Sequence, residues 1–145
     1  MKISIASDHA GYEVKESIKV YLKQLGHTVN DCGSFNAERS DYPDFASKAA
    51  KLVANGDVDK GILVCGSGIG MCIAANRFKH VRAVVLRNLA DASISREHND
   101  ANIACFGARF TELETIKKLI DIFLSTRFEG GRHENRIKKL DSLSC

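Results

Sequence analysis

Gly61-Ile62-Leu63-Val64-Cys65-Gly66-Ser67-Gly68-Ile69-Gly70 is the stretch from which the architecture follows. An apolar run with the character of a buried strand meets three glycines at alternate positions, and a helical stretch continues through Phe78. The same order recurs on either side. Upstream, Ile3–Ala6 reads as a strand. Gly11–Leu25 reads as a helix with Val14, Ile18, Tyr21, Leu22 and Leu25 on one face, and Gly26 ends it. Thr28-Val29 starts a weaker strand, and Pro43 opens a helix through Asn55. Downstream come a strand over Arg82–Leu86, a helix over Leu89–Glu97, a strand over Ile103–Phe106 and a helix over Thr111–Leu124. Thr111 and Glu114 have the spacing of a capping box. A short helix over about Glu134–Leu143 closes the chain. Parallel strands need crossover helices, so five alternations predict a Rossmann-like three-layer α/β/α sandwich around a five-stranded parallel sheet.

The 145 residues are the size of one domain, 1–145, with a helical tail from about residue 129. Hydrophobic residues are 44% and charged residues 27%, ordinary for a globular protein. No run approaches the ~18 apolar residues of a membrane span, and Ser7-Asp8-His9 follows Met1–Ala6 with no leader-like segment. A net charge of +3 is too small to imply nucleic acid. Five cysteines stand at 32, 65, 72, 105 and 145, an odd count without C-x-x-C spacing. Reduced thiols, a cytoplasmic location and no structural metal are therefore expected, since the five histidines do not pair with the cysteines.

Ligands of such folds bind outside the carboxyl ends of the strands. After the first strand, Asp8 and His9 precede a helix start; Asp8 either caps the helix or points with His9 into a crevice. After the third, Gly66–Gly70 let successive backbone N–H groups face one point, an anion nest. No Walker lysine follows it. Met71 stands where a dinucleotide fingerprint needs glycine and a cysteine-dependent phosphatase needs arginine. Cys65 is either a small buried residue or, because a helix N-terminus favours thiolate, a reactive group facing the bound anion. Cys72 with Ile73, and Cys32, Cys105 and Cys145, read as core. Arg109 follows the fifth strand and either reaches the crevice or makes a surface ion pair. Arg127, Arg132, His133, Arg136, Lys138 and Lys139 form a basic tail, a solvated face or an anion site. Arg132 and Arg136 share a helix face, as a phosphate clamp would. His98-Asn99-Asp100 falls at the amino-terminal edge of the sheet, where a surface turn is expected.

Ser7–Gly11, Asp41-Tyr42-Pro43-Asp44, Cys65–Gly70, His98–Asn102 and the Arg132/Arg136 pair, taken in this order, resemble type B ribose-5-phosphate isomerases. Galactose- and allose-6-phosphate isomerases belong to the same wider family. The resemblance implies metal-free, cofactor-free aldose–ketose conversion of ribose 5-phosphate and ribulose 5-phosphate in the pentose phosphate pathway. It casts Cys65 as the base, and Gly66, Ser67, Gly68, Ile69 and Gly70 as the cradle of an enediolate. It casts His98, helped by Asp8, in furanose opening, and Asp8 and Asn99 as contacts to sugar oxygens. His9, Arg132 and Arg136, with Arg109 nearby, would take the phosphate. Ser67 stands where many relatives have threonine. One branch of the family has a glutamate base at the position of Met71, which cannot accept a proton, leaving Cys65 as the candidate here. The galactose-6-phosphate enzyme is built from two different chains, whereas this one carries both Cys65 and His98. Cys65 and His98 belong to opposite sheet edges, so the resemblance further implies a homodimer, or a dimer of dimers, with shared sites. A phosphoacceptor module, which needs an aspartate in place of Cys65, and a nucleotide-binding regulatory domain are the other classes with this alternation.

Overall fold

The apolar runs and amphipathic stretches become strands and helices in strict alternation. The computed structural model describes residues 1–143, so Cys145, for which a core place is expected, lies outside the described residues. The elements are β1 (Lys2–Ser7), α1 (Tyr12–Gln24), β2 (Thr28–Asp31), α2 (Tyr42–Ala54), β3 (Lys60–Cys65) and α3 (Ile69–Ala75). They continue with β4 (Ala83–Val85), α4 (Leu89–Glu97), β5 (Ile103–Gly107), α5 (Leu113–Ser125) and α6 (Arg132–Ser142).

The sheet is wholly parallel, in the order β2-β1-β3-β5-β4. Two apolar layers cover it. Ile18 and Leu22 of α1, Ala92 of α4, and Ile116, Leu119, Ile120 and Phe123 of α5 pack on Ile3, Ile5, Ile62, Val64, Ala104 and Phe106. Ala46, Ala49, Ala50 and Val53 of α2 with Met71 and Ala75 of α3 pack on Ala6, Leu63, Cys65, Ile103 and Cys105. Neighbouring β1 and β3 lead away in opposite directions, so their carboxyl ends frame the crevice expected of such a sheet. Register brings three ends level: Ser7 lies opposite Val64, and Cys65 opposite Gly107.

The expected architecture is present, with local corrections. Thr111 does not cap α5. Its N–H goes back to the carbonyl of Gly107 at 3.0 Å, which prolongs the turn, and Glu112 becomes the N-cap without a side-chain bond. Glu114 instead meets Lys117 at 2.8 Å. The helix after the glycine loop stops at Ala75, because Asn76 turns to bond both backbone groups of Ala83 at 2.9 Å, tying the helix end to β4. Ile73 faces outward rather than into the core. In α1, Leu25 is exposed and Lys15 is wholly buried, its ammonium held by both Asp31 oxygens at 2.8 Å and by Glu16 at 2.9 Å.

Candidate active site

Two groups of the expected site residues form at opposite edges of the sheet. At the carboxyl edge, Asp8, Tyr42, Cys65, Gly66, Ser67, Gly70, Arg109 and Phe110 line a cavity of about 360 Å³. Asp8 is buried, and its Oδ1 accepts the Gly11 N–H at 3.1 Å. It therefore serves the helix start and borders the crevice together. Cys65 is 4% exposed, and its Sγ accepts the N–H of Gly68 at 3.1 Å. A backbone donor aimed at sulfur makes a stronger bond to thiolate than to thiol.

The glycines of the loop answer to close neighbours. Gly68 sits at φ +79°, and a Cβ there would lie 2.9 Å from the carbonyl carbon of Phe106. A Cβ on Gly66 would meet the Arg109 guanidinium at 2.9 Å, and one on Gly70 the Tyr42 ring at 2.6 Å. Arg109 and Tyr42 thus close over the loop from either side. Ser67 Oγ accepts the Ile69 N–H at 3.2 Å, which leaves its own proton free to donate. The His9 ring is anchored through Nδ1 to the Ser40 backbone at 3.2 Å, leaving Nε2 for a ligand. Tyr42 was legible only as part of Asp41–Asp44, and no signal in the sequence marks Phe110, which is 79% exposed at the lip.

At the amino edge stand His98, Asn99, Arg132 and Arg136, joined by His133 and Glu129. The turn after α4 is held by two arginines. Arg96 donates to Asp100 at 2.7 Å and to the carbonyl of Ala101 at 2.6 Å, and Arg82 donates to the carbonyls of Asn99 and Asp100 at 3.1 Å. Arg82 also pins α6 through Asp141 at 2.9 Å. His98 stacks on His133 with ring centroids 4.4 Å apart and planes at 15°. Burial pushes the His133 imidazole below its ordinary value, and neighbouring Arg132 and His98 push the same way. Arg132 and Arg136 are exposed on α6, four residues apart. Asn99 borders two hollows that flank the edge strand β4, of about 450 and 340 Å³.

His98, Glu129 and His133 are the one trio among the described residues with metal-ligand types close together. Near-parallel rings aim their in-plane lone pairs along separate lines, so the trio as built suits proton sharing rather than a shared ion. The two groups of residues do not meet within one chain. The length of β5 alone, at ~3.3 Å per residue, separates the edges by some 13 Å.

A parallel α/β sheet with a thiol at the mouth of a glycine loop, a buried carboxylate opposite, and histidines and arginines at two edges defines an anion-handling enzyme of the proton-transfer class. The chain belongs to the ribose/galactose isomerase family, whose model matches residues 3–140. It is 44% identical over 142 residues to ribose-5-phosphate isomerase B of Escherichia coli (strain K12), covering 98% of this chain and 95% of that one. Its fold matches the solved ribose-5-phosphate isomerase B of Clostridium thermocellum at TM-score 0.96 and 45% identity, over 97% and 95% of the two chains. It matches that of Mycoplasma genitalium with bound ribulose-5-phosphate at TM-score 0.92 and 42% identity, over 97% and 93%.

Proposed function

We propose that this protein interconverts ribose 5-phosphate and ribulose 5-phosphate through an enediolate. The observation that carries the reading is the Cys65 thiol, held by the Gly68 N–H and facing Asp8 and Arg109 across one cavity. From the open-chain aldose, Cys65 takes the C2 proton and, after exchange with solvent, delivers a proton to C1, while the hydroxyl proton moves from O2 to O1. Charge gathers on the enediolate oxygens, where the N–H groups of the loop oppose it in the transition state. Ser67 donates its hydroxyl to the sugar, and Asn99 takes a further sugar oxygen. His9, Arg132 and Arg136 take the phosphate, and Arg109 adds positive charge nearby. His98 and Asp8 open the furanose. One carbon of the substrate is oxidised as its neighbour is reduced, so the reaction consumes no cofactor.

Residues from both edges serve one sugar when two chains pair about a two-fold axis, each lending His98 and Asn99, with Arg132 and Arg136, to the crevice of the other. The exposed apolar side chains Ile69, Leu89, Ile94 and Phe110 and the open edge of β4 support such a pairing. We assign the activity to the cytoplasm, where thiols stay reduced; no helix among the described residues is long and apolar enough to cross a membrane.

The test is a panel of ribose 5-phosphate, allose 6-phosphate and galactose 6-phosphate. Turnover of the five-carbon substrate is expected to lead. Turnover of a six-carbon substrate alone would overturn the assignment within the family.

A further inference from the structure

The segment between α5 and α6 carries a carboxylate to the amino-edge half of the site. The N–H of Glu129 donates to the carbonyl of Glu97 at 3.1 Å, and Glu97 is the last residue of α4, immediately before His98. Glu129 is thereby clipped beside the imidazole. Its Oε2 stands 4.0 Å from Nε2 of His98 and 3.6 Å from Nε2 of His133. The side chain of His133 is 5% exposed, and its Nε2 is buried with no hydrogen-bond partner among the described residues. The side chain of His98 is 38% exposed.

We infer that Glu129 is a positioning residue for His98: its carboxylate balances and aims the imidazolium with which His98 opens the sugar ring, while His133 is the buried ring on which His98 rests. The inference rests on the reading of His98 given above. Two imidazolium ions stacked at 4.4 Å would repel, so the stack opposes charge on both rings together. Burial pushes His133 below its ordinary value, and Arg132, His98 and Arg136 push the same way, against the Glu129 carboxylate, which acts in the opposite direction. His98 is the ring open to substrate, and Glu129 is the carboxylate within 4.0 Å of it.

The chemistry asks for that form. In ring opening the O1 hydroxyl gives its proton to Asp8. C1=O1 forms, and the C1–O4 bond breaks with its electron pair on O4, which takes the proton of His98. His98 ends neutral and Asp8 protonated, and exchange with solvent, Asp8 releasing a proton and His98 taking one, restores both before the next turnover.

Ribulose 5-phosphate separates this step from the Cys65 step. Its fifth oxygen carries the phosphate, so it has no furanose form, and exchange of its C1 hydrogen with solvent needs Cys65 but no ring chemistry. The experiment compares wild type, Glu129→Gln, Glu129→Asp and Cys65→Ala in D2O. Isomerisation is followed by assay, and deuterium entry at C1 of ribulose 5-phosphate by NMR. Glu129→Gln should lose about ten-fold or more in isomerisation kcat, a part of the 10²–10⁴-fold typical of a general acid, with KM little changed. Its C1 exchange should stay within about two-fold of wild type. Glu129→Asp, which keeps the charge, should recover part of the loss, and Cys65→Ala should lose both activities. Wild-type isomerisation by Glu129→Gln overturns the inference, as does a parallel fall of isomerisation and exchange, which marks general damage to the site. A wild-type protein that leaves ribulose 5-phosphate untouched overturns the proposed function itself, a result distinct from either.

Discussion

Cys65 concentrates the argument at the level of single residues. It is nearly closed to solvent, yet it ends a strand at the cavity mouth and takes a backbone N–H on sulfur. We predict that Cys65→Ala lowers kcat by at least about a hundred-fold, the lower range for a lost general base, while the sugar phosphate still binds by calorimetry. Near-normal turnover would remove Cys65 from the mechanism. Cys72→Ala is the control. Its thiol is half-buried against the carbonyl of Ala83 at 3.3 Å, away from the cavity, and turnover should barely change. Asp31 gives a pH prediction. Burial alone would raise its carboxyl, but hydrogen bonds from Lys15 and Lys19 and from the Gly33 N–H outweigh it, leaving Asp31 below its ordinary 3.8. A lowered folded value means stability that is complete above about pH 4 and lost as pH falls through the folded value. Melting curves from pH 6 to 3 should show this acid loss in wild type and a flatter profile in Asp31→Asn. That variant should also be less stable at neutral pH, by about 3 kcal/mol or less because Glu16 remains beside Lys15. An equal acid slope in both would clear Asp31 of the effect. The carboxyl-end rule made Asp8 and Cys65 legible from sequence. The burial of Lys15 was not legible, since its partner lies on another element and a lysine by itself marks a solvated face.

Among elements, the unit of β3, glycine loop and α3 does the positioning. Gly68 is held at φ +79°, and the backbone of Phe106 and Gly107 leaves no room for a Cβ. Gly68→Ala should cost at least about 1–2 kcal/mol from the left-handed backbone alone. It should also weaken turnover, because the N–H that reaches Cys65 sits on the residue forced to move. Chemical denaturation and a rate assay on the same variant check both, and an unchanged midpoint would refute the tight fit. Alternating runs and glycine stops revealed every strand and helix, because each rests on local periodicity. The false capping box shows the limit. Thr111 and Glu114 have the right spacing, but the turn that begins at Gly107 claims the Thr111 N–H first, and spacing carries no record of that competition. The tail followed the same pattern: Arg132 and Arg136 were visible as a helical pair, whereas Glu129 and His133 acquire meaning only where α6 meets the end of α4.

For the whole molecule, the separation of Cys65 from His98 by the length of the sheet becomes a mixing experiment. Cys65→Ala and His98→Asn chains, each nearly inactive alone, are unfolded together in equal amounts and refolded. Random pairing makes half the dimers hybrid, and each hybrid holds one site with both defects and one with neither. Roughly a quarter of wild-type activity should return by this symmetry. No recovery would mean that one chain supplies both residues. The order of the strands, which alternation alone does not encode, carries a last consequence. β5 lies between β3 and β4, although it is synthesised after both. A nascent chain emerging from the ribosome can pair β1, β2 and β3, but the far side of β3 has no neighbour until residues 103–107 have emerged, and β4 has none at all. Translation thus exposes an open, apolar strand edge for some forty residues of elongation, a delay of seconds at typical synthesis rates. Ribosome-stalled chains long enough to free residue 95 but not residue 103 from the exit tunnel should be cut by protease within residues 83–95 while β1–β3 resist, and chains long enough to free Gly107 should be protected throughout.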